Sequence, residues 1–425
     1  RSDDVGLFMN SYIYIVARRT SPITTTKPVA VAASISSSFT PAASVRRARP
    51  NSPRHCQHRR QFSSPVTSAK LATASESTKH RTMAKDGEPP APRPSASVVL
   101  LSPSNEILLL HRVKTSSSFA SAHVFPGGNV DPFHDGDVPA EGHPDKHRDG
   151  PAYRLCAIRE TFEESGILLA KKDGKLVQLP EQEREEARKQ IHARKIKFGD
   201  WLKSIGATAD TESLIPYTRW LTPITVPKRF TTQMYLYLLP LTRRDLPSKM
   251  VIPTADGGIE HTAALFAEPQ AWLKQAHQGE IILFPPQYFI LDTIGRHVGG
   301  GRPGSLEEES KRFMQERRRL LKFVRQVPTA TTALGRAHPS AQVPWADKVI
   351  SPVPMYMRDR KGDRRAVLSL SHPGPELEGS DRVGDFERVV LTKFGKNGPT
   401  GVEVRLREEV LDEDAQPKEG RLEKL

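Results

Sequence analysis

Between Pro151 and Ala170 the chain reads PAYRLCAIRETFEESGILLA, and at about 100° per residue its positions sort onto separate sides of a helix. Leu155, Ile158 and Phe162 fall together, while Glu160, Glu163 and Glu164 fall within about 100° of one another elsewhere. The pattern predicts an amphipathic helix whose apolar side packs and whose acidic side looks outward. Gly166 ends it, because glycine takes φ > 0 at little cost.

Other stretches carry their own periodicity. Ser95 to Leu101 and Glu106 to His111 are aliphatic runs joined by Ser102-Pro103-Ser104-Asn105, which predicts a hairpin opening a mixed sheet. Thr115 to Ala122 reads as a loop. Pro180 to Lys197 and Phe198 to Ile205 read as helices, the first with charges expected to form a solvated face. Gln233 to Leu239 and Glu260 to Phe266 read as strands, and Glu268 to His277 as a helix. Pro285 opens another helix at its first turn, and Leu306 to Val327 is a long amphipathic one. From Thr329 onward, Gly, Pro and charged residues alternate with pieces such as Val389-Val390-Leu391 and Val402-Glu403-Val404, which predicts a small β-containing extension with a frayed terminus.

The acidic side carries the chemistry. Like charges at i, i+3 and i, i+4 repel by a few tenths of a kcal/mol per pair, so the cluster needs positive charge beside it. Arg159 supplies part, and Mg²⁺ or Mn²⁺ would supply the rest. Such hard cations take carboxylate, water and phosphate oxygens, which accounts for Glu rather than His or Cys. The bland alternative is a solvated acidic face.

The run Arg159-Glu160-Thr161-Phe162-Glu163-Glu164-Ser165-Gly166-Ile167 resembles the second half of the Nudix box, with Thr161 in place of an aliphatic residue. Phe125-Pro126-Gly127-Gly128 resembles its entrance, where glycines let backbone approach phosphate closely. Gly128 and Arg159 stand 31 positions apart, about 17 more than the uninterrupted pattern. The insert, roughly Asp131 to Gly150, is rich in Asp, His, Gly and Pro and reads as a loop. It hides the box's early Glu: Asp131, Asp135, Asp137 and Glu141 are all possible occupants, and spacing does not choose among them.

The interrupted box resembles the acyl-coenzyme A diphosphatase branch of the Nudix hydrolases. Trp220-Leu221-Thr222-Pro223, Lys228-Arg229-Phe230-Thr231-Thr232, Glu260 before its strand, and Leu283-Phe284-Pro285-Pro286-Gln287-Tyr288 agree with that branch. The resemblance covers about residues 95 to 330. It implies an α/β fold of the Nudix α/β/α sandwich kind, with a mixed central sheet, an inserted helical element and a small β-containing C-terminal extension. The expected division is 1–94, a basic N-terminal segment; 95–328, the Nudix domain with inserts at about 131–150 and 180–206; and 329–425, the extension.

The implied reaction is hydrolysis of coenzyme A or acyl-coenzyme A to 3′,5′-ADP and a phosphopantetheine product. Glu160, Glu163 and Glu164 would hold Mg²⁺ or Mn²⁺, Arg159 would orient them, and Glu160 or Glu260 would be the base. Gly127 and Gly128 would meet the diphosphate. Lys228 and Arg229 are candidates for a nucleotide phosphate, Arg229 favoured for its planar fork. Gln287 and Tyr288 could meet the adenine or the pantetheine arm. A second reading keeps the chemistry and takes ADP-ribose, NADH or capped RNA as substrate; a third is a non-catalytic Nudix-fold binding module.

Composition then narrows the setting. Net charge is +14, which would raise nucleic-acid binding, but residues 1–95 hold 15 Lys or Arg against 5 Asp or Glu. The remaining 330 residues carry only +4, so no specific nucleic-acid partner is expected beyond a small nucleotide substrate. The hydrophobic share of 37% predicts that part of the chain does not pack. Cys56 and Cys156 make no disulfide framework, and packing is the reading for Cys156. No run reaches the roughly 18 apolar residues that span a bilayer.

Val5 to Ser75 contains no Asp or Glu but many Ser, Thr and Ala, with Arg18, Arg19, Arg46, Arg47, Arg49, Arg54, Arg59 and Arg60. That composition predicts a mitochondrial presequence. A start at Met83 would delete it and leave a cytosolic or peroxisomal protein, the terminal Glu423-Lys424-Leu425 only half resembling a peroxisomal address.

Overall fold

A computed structural model describes residues 89–113, 121–241, 253–254, 261–299 and 304–416. The basic segment through residue 88, most of the 115–122 loop, Glu260 and the terminal tripeptide lie outside the described residues.

The expected hairpin is present as β1 (Arg93–Leu101) and β2 (Ile107–Arg112), with Leu101 opposite Ile107. Ser102 closes the turn, its hydroxyl accepting from the amides of Ser104 and Glu106. Two short strands, β3 (His123–Val124) and β4 (Gly127–Asn129), pair with β2 and β1. The pairing of β4 on β1 brings the two glycines to the sheet's edge.

The 131–150 insert is more ordered than a loop. It holds a one-turn helix, α1 (Pro132–Asp135), capped by the Asp131 carboxylate, and a 3-10 turn at Pro144–His147. Tyr153 donates its hydroxyl to Lys146 O at 2.5 Å, and fully buried Arg219 donates to Arg148 O at 2.7 Å. The first bond ties the insert to the helix that follows it, and the second ties it to the sheet.

Helix α2 (Pro151–Ser165) is the predicted box helix; Gly166 follows it at φ 73°, its N–H on Phe162 O at 2.9 Å. A small sheet of β5 (Ala170–Lys172), β6 (Lys175–Leu176) and β7 (Thr208–Ala209) brackets the helical insert, α3 (Glu181–His192) and α4 (Phe198–Ser204). Phe162 stacks on Trp201 at 5.0 Å and tilts toward Phe198 at 6.4 Å, so α2 and α4 share an aromatic core.

The main sheet is completed by β8 (Ile215–Leu221), β9 (Phe230–Leu238), β10 (His261–Ala267) and β11 (Val349–Ile350), in the order β10-β2-β1-β9-β8-β11. The β1–β9 and β8–β11 pairs are parallel and the others antiparallel, so the sheet is mixed. Its two faces are both buried: Ala96, Val98 and Leu100 pack with Cys156, Ile158 and Phe162, whereas Val99 and Leu101 pack with Leu236, Phe289 and Trp345. The second face is covered by α5 (Pro269–Gln278), α6 (Pro285–Gly295) and α7 (Leu306–Arg325), giving an α/β/α arrangement. Ser305 and Glu308 form a capping box at the start of α7.

The C-terminal part is β-containing, as expected, and it packs onto the sandwich. β11 joins the main sheet, and a second antiparallel sheet, β12 (Val353–Met357), β13 (Ala366–Leu370), β14 (Asp385–Gly395) and β15 (Gly398–Leu406), puts Leu368, Val390 and Val404 into the same core as Phe289 and Trp345. The terminus forms helix α8 (Arg407–Ala415). Residues beyond 329 are therefore part of the body that holds the site, because they share its apolar core. No helix among the described residues is long and apolar enough to cross a membrane.

Candidate functional site

The acidic side of α2 does not look outward. Glu160, Glu163 and Glu164 line a cleft of about 810 Å³ with Gly127, Gly128 and Asn129, and their side chains are 16%, 9% and 8% exposed. Arg159 organises them from beneath. Its Nη1 donates to Glu160 Oε1 at 2.8 Å and to Glu163 Oε1 at 3.0 Å, and its Nη2 donates to Asn129 O at 3.0 Å.

The same guanidinium settles which acid the insert supplies. Nε donates to Asp135 Oδ1 at 2.9 Å and Nη2 to Asp135 Oδ2 at 2.7 Å, a bidentate pair with side chains 5% and 0% exposed. Of Asp131, Asp135, Asp137 and Glu141, only Asp135 has a described bond to Arg159. Burial opposes the charge on Arg159, but Glu160 and Asp135 outweigh it and hold the guanidinium above its ordinary pKa.

The glycines sit against the carboxylates. Gly127, at φ 153°, donates its N–H to Glu164 Oε2 at 2.7 Å. A Cβ at Gly128 would stand 2.5 Å from Glu160 Cδ, so only glycine lets the backbone lie this close. Thr161, the box's departure, is fully buried and donates to Ala157 O at 2.7 Å, which satisfies its hydroxyl inside the helix. Cys156 is buried in the core, and burial pushes its thiol up, so packing is its role.

The remaining sequence candidates divide. Lys228 lines the cleft, along with Arg93, Arg112 and Gln287. Gln287 Oε1 has no hydrogen-bond partner among the described residues. Arg229 does not line the cleft. Its side chain is fully buried, pairs with Glu376, and donates Nε to Thr222 O at 3.0 Å and Nη1 to Pro90 O at 3.2 Å. Its fork is thus spent on structure, and no phosphate role follows for it. Tyr288 is packed against the second core. Glu260 lies outside the described residues.

A model of the NUDT19 Nudix domain matches residues 140–294. Over those residues the chain is similar to the NUDT19 Nudix domain. Acyl-coenzyme A diphosphatase NUDT19 of Gallus gallus is 28% identical over 44% of this chain and 60% of its own length. Acyl-coenzyme A diphosphatase NUDT19 of Xenopus laevis is 26% identical over 44% and 59%. The chain thus spans about three fifths of these relatives. A solved NUDIX hydrolase from Alicyclobacillus acidocaldarius is 27% identical, with TM-score 0.38 over 48% of this chain and 90% of that one. The Nudix match begins after Gly127, Gly128 and Asp135, and the structure joins those residues to its carboxylates.

The donor set of this site fits a hard divalent cation in kind: three glutamates within little more than one helical turn, with backbone close enough to bring a phosphate to them. Each carboxylate also has at least one oxygen on a protein partner, and Glu163 has both. Among the described residues no three His, Cys, Asp or Glu side chains are gathered closely enough to hold a metal ion, and Arg159, Gly127 and His192 occupy oxygens of the glutamates.

Burial pushes the Glu160 carboxyl up to about 7, with Glu163 adding to the rise and Arg159 opposing it. A proton held on Glu160 would compete with a cation. Affinity for a divalent cation is expected to fall by up to about tenfold per pH unit below about 7. Calorimetric titration between pH 5.5 and 8 measures this, and a flat profile would refute it.

Proposed function

We propose that this chain hydrolyses, with a divalent cation, a diphosphate linking a nucleoside to a second moiety. We take coenzyme A or acyl-coenzyme A as the substrate, giving 3′,5′-ADP and the (acyl-)phosphopantetheine. The observation that carries this reading is the carboxylate set organised by Arg159 in a cleft edged by Gly127 and Gly128.

Glu160, Glu163 and Glu164 would hold Mg²⁺ or Mn²⁺, which when bound neutralises phosphate charge and acidifies water. Arg159 fixes two of the three glutamates, and Gly127 fixes the third. In-line attack at phosphorus leaves most of the catalysis to such positioning and electrostatics. Glu160 and Glu260 are the two candidates for general base.

Substrate recognition draws on the rest of the lining. Arg93, Arg112 and Lys228 bring positive charge suited to further phosphate oxygens. The Gln287 carboxamide oxygen suits an N–H donor, such as those of adenine or of an amide-bearing arm. The names of the curated relatives favour coenzyme A derivatives within this class.

Incubation with Mg²⁺ and coenzyme A, followed by mass detection, is expected to yield 3′,5′-ADP. Intact coenzyme A beside cleaved ADP-ribose, NADH or capped RNA would overturn the substrate. No cleavage of any of them would overturn the enzyme reading in favour of a binding module.

A further inference from the structure

The polar face of α3 is a wall of the cleft. Glu185, Arg188, Lys189 and His192, at i, i+3, i+4 and i+7, all line the space that Glu160, Glu163 and Glu164 line from α2. Lys189 and His192 are exposed, as a solvated face requires, and Arg188 is the departure from it.

Arg188 is the buried member of that row, 4% exposed. Its Nε and Nη2 both donate to the main-chain carbonyl of Glu163, at 2.9 and 2.6 Å. Nη1 donates to the two carboxylate oxygens of Glu185 at 3.0 and 2.9 Å and to Thr254 Oγ1 at 3.0 Å. One turn further on, His192 Nδ1 stands 3.2 Å from Glu163 Oε2. The inserted helix therefore grips one residue at two points, its carbonyl and its carboxylate.

The Glu163 carbonyl lies in the last turn of α2, where the helix itself provides no donor. One N–H would satisfy it. Arg188 instead supplies two from a planar fork held in orientation by Glu185 and Thr254, which restricts where the Glu163 main chain can sit. Glu163 is also the carboxylate that Arg159 holds from the other side.

We infer that Arg188 is a positioning residue. By fixing the Glu163 main chain against α3, it sets where the Glu163 carboxylate stands relative to Glu160 and Glu164, and so sets the cluster's affinity for a divalent cation. The inference rests on the reading of these three glutamates as a cation site.

The test is Mn²⁺ binding to the full chain, read by electron paramagnetic resonance of free Mn²⁺, with thermal unfolding of the metal-free protein alongside. Arg188→Met should raise the Mn²⁺ Kd by about 10- to 100-fold, the range for losing a partner that orients a metal ligand. Glu185→Gln leaves Glu163 untouched but loosens the fork, and should raise it by about threefold, a smaller share of that same effect. The Mg²⁺ concentration for half-maximal turnover should move in parallel while the KM for substrate stays near that of the parent.

If Arg188→Met does not fold, Glu185→Gln decides. Parental Kd values in the folded variants would overturn this inference alone. A parent protein that binds no Mn²⁺ would overturn both it and the cation-site reading beneath it.

Discussion

Asp135→Ala is expected to cost about 3 kcal/mol of stability, the lower end of the loss seen when one partner of a buried ion pair is removed. The lower end is chosen because Arg159 would still face Glu160 and Glu163, which share its charge. Both Asp135 oxygens are bonded to Arg159, and the pair is almost wholly out of water. Turnover should fall as well, since an Arg159 released from Asp135 is free to follow the two glutamates. In the double variant Asp135→Leu, Arg159→Met the Glu160 and Glu163 carboxylates lose their shared partner as well, so stability should stay below the parent's and turnover should stay lost. Urea denaturation of the three proteins measures this. A loss below about 1 kcal/mol for Asp135→Ala would place the pair with ordinary surface ion pairs and sink the argument.

The insert explains why Asp135 could not be chosen from the sequence. An uninterrupted box fixes its early acid by spacing, whereas about 17 extra residues remove that constraint and leave four acids in play. Asp135 is selected by three-dimensional closure: the Asp131 side chain caps α1, α1 packs against α2, and the one turn places Asp135 beside Arg159. By contrast α2, α3, α4 and the β1–β2 hairpin were legible, because each is written in local periodicity and local turn chemistry.

Arg229 and Arg188 show the same limit from opposite directions. Arg229 follows Lys228 in a loop beside the site, which favours a phosphate role, yet its fork is taken by Glu376, 147 residues further along the chain. Arg188 sits on a helix whose mixed charges look like a solvated face, yet it meets the Glu163 carbonyl 25 residues earlier. Sequence reports which side chains share a face; it does not report what stands opposite that face. The packing of the region beyond Thr329 is hidden from sequence for the same reason. Its strands were recognisable, but the pairing of β11 with β8 and the packing of Val390 with the Phe289 core are long-range contacts.

Glu164→Gln separates charge from shape at the centre of the site. Glu164 accepts the Gly127 N–H at 2.7 Å, and a glutamine oxygen can accept the same bond, so the β4 glycines should keep their place. Neither volume nor burial changes appreciably, so the thermal unfolding temperature should move by only a few degrees, about 1 kcal/mol of stability. What disappears is one of the three negative charges that would hold the cation. Mg²⁺-dependent turnover should therefore fall by at least about 10²-fold, the scale for losing one preorganised electrostatic partner of a transition state. Raising Mg²⁺ should restore part of it if the lost charge acts mainly through cation affinity, and none of it if the carboxylate also orients the cation against the diphosphate. Turnover equal to the parent's, measured at matched Mg²⁺ on a folded variant, would remove Glu164 from the cation site and leave its bond to Gly127 as its whole role.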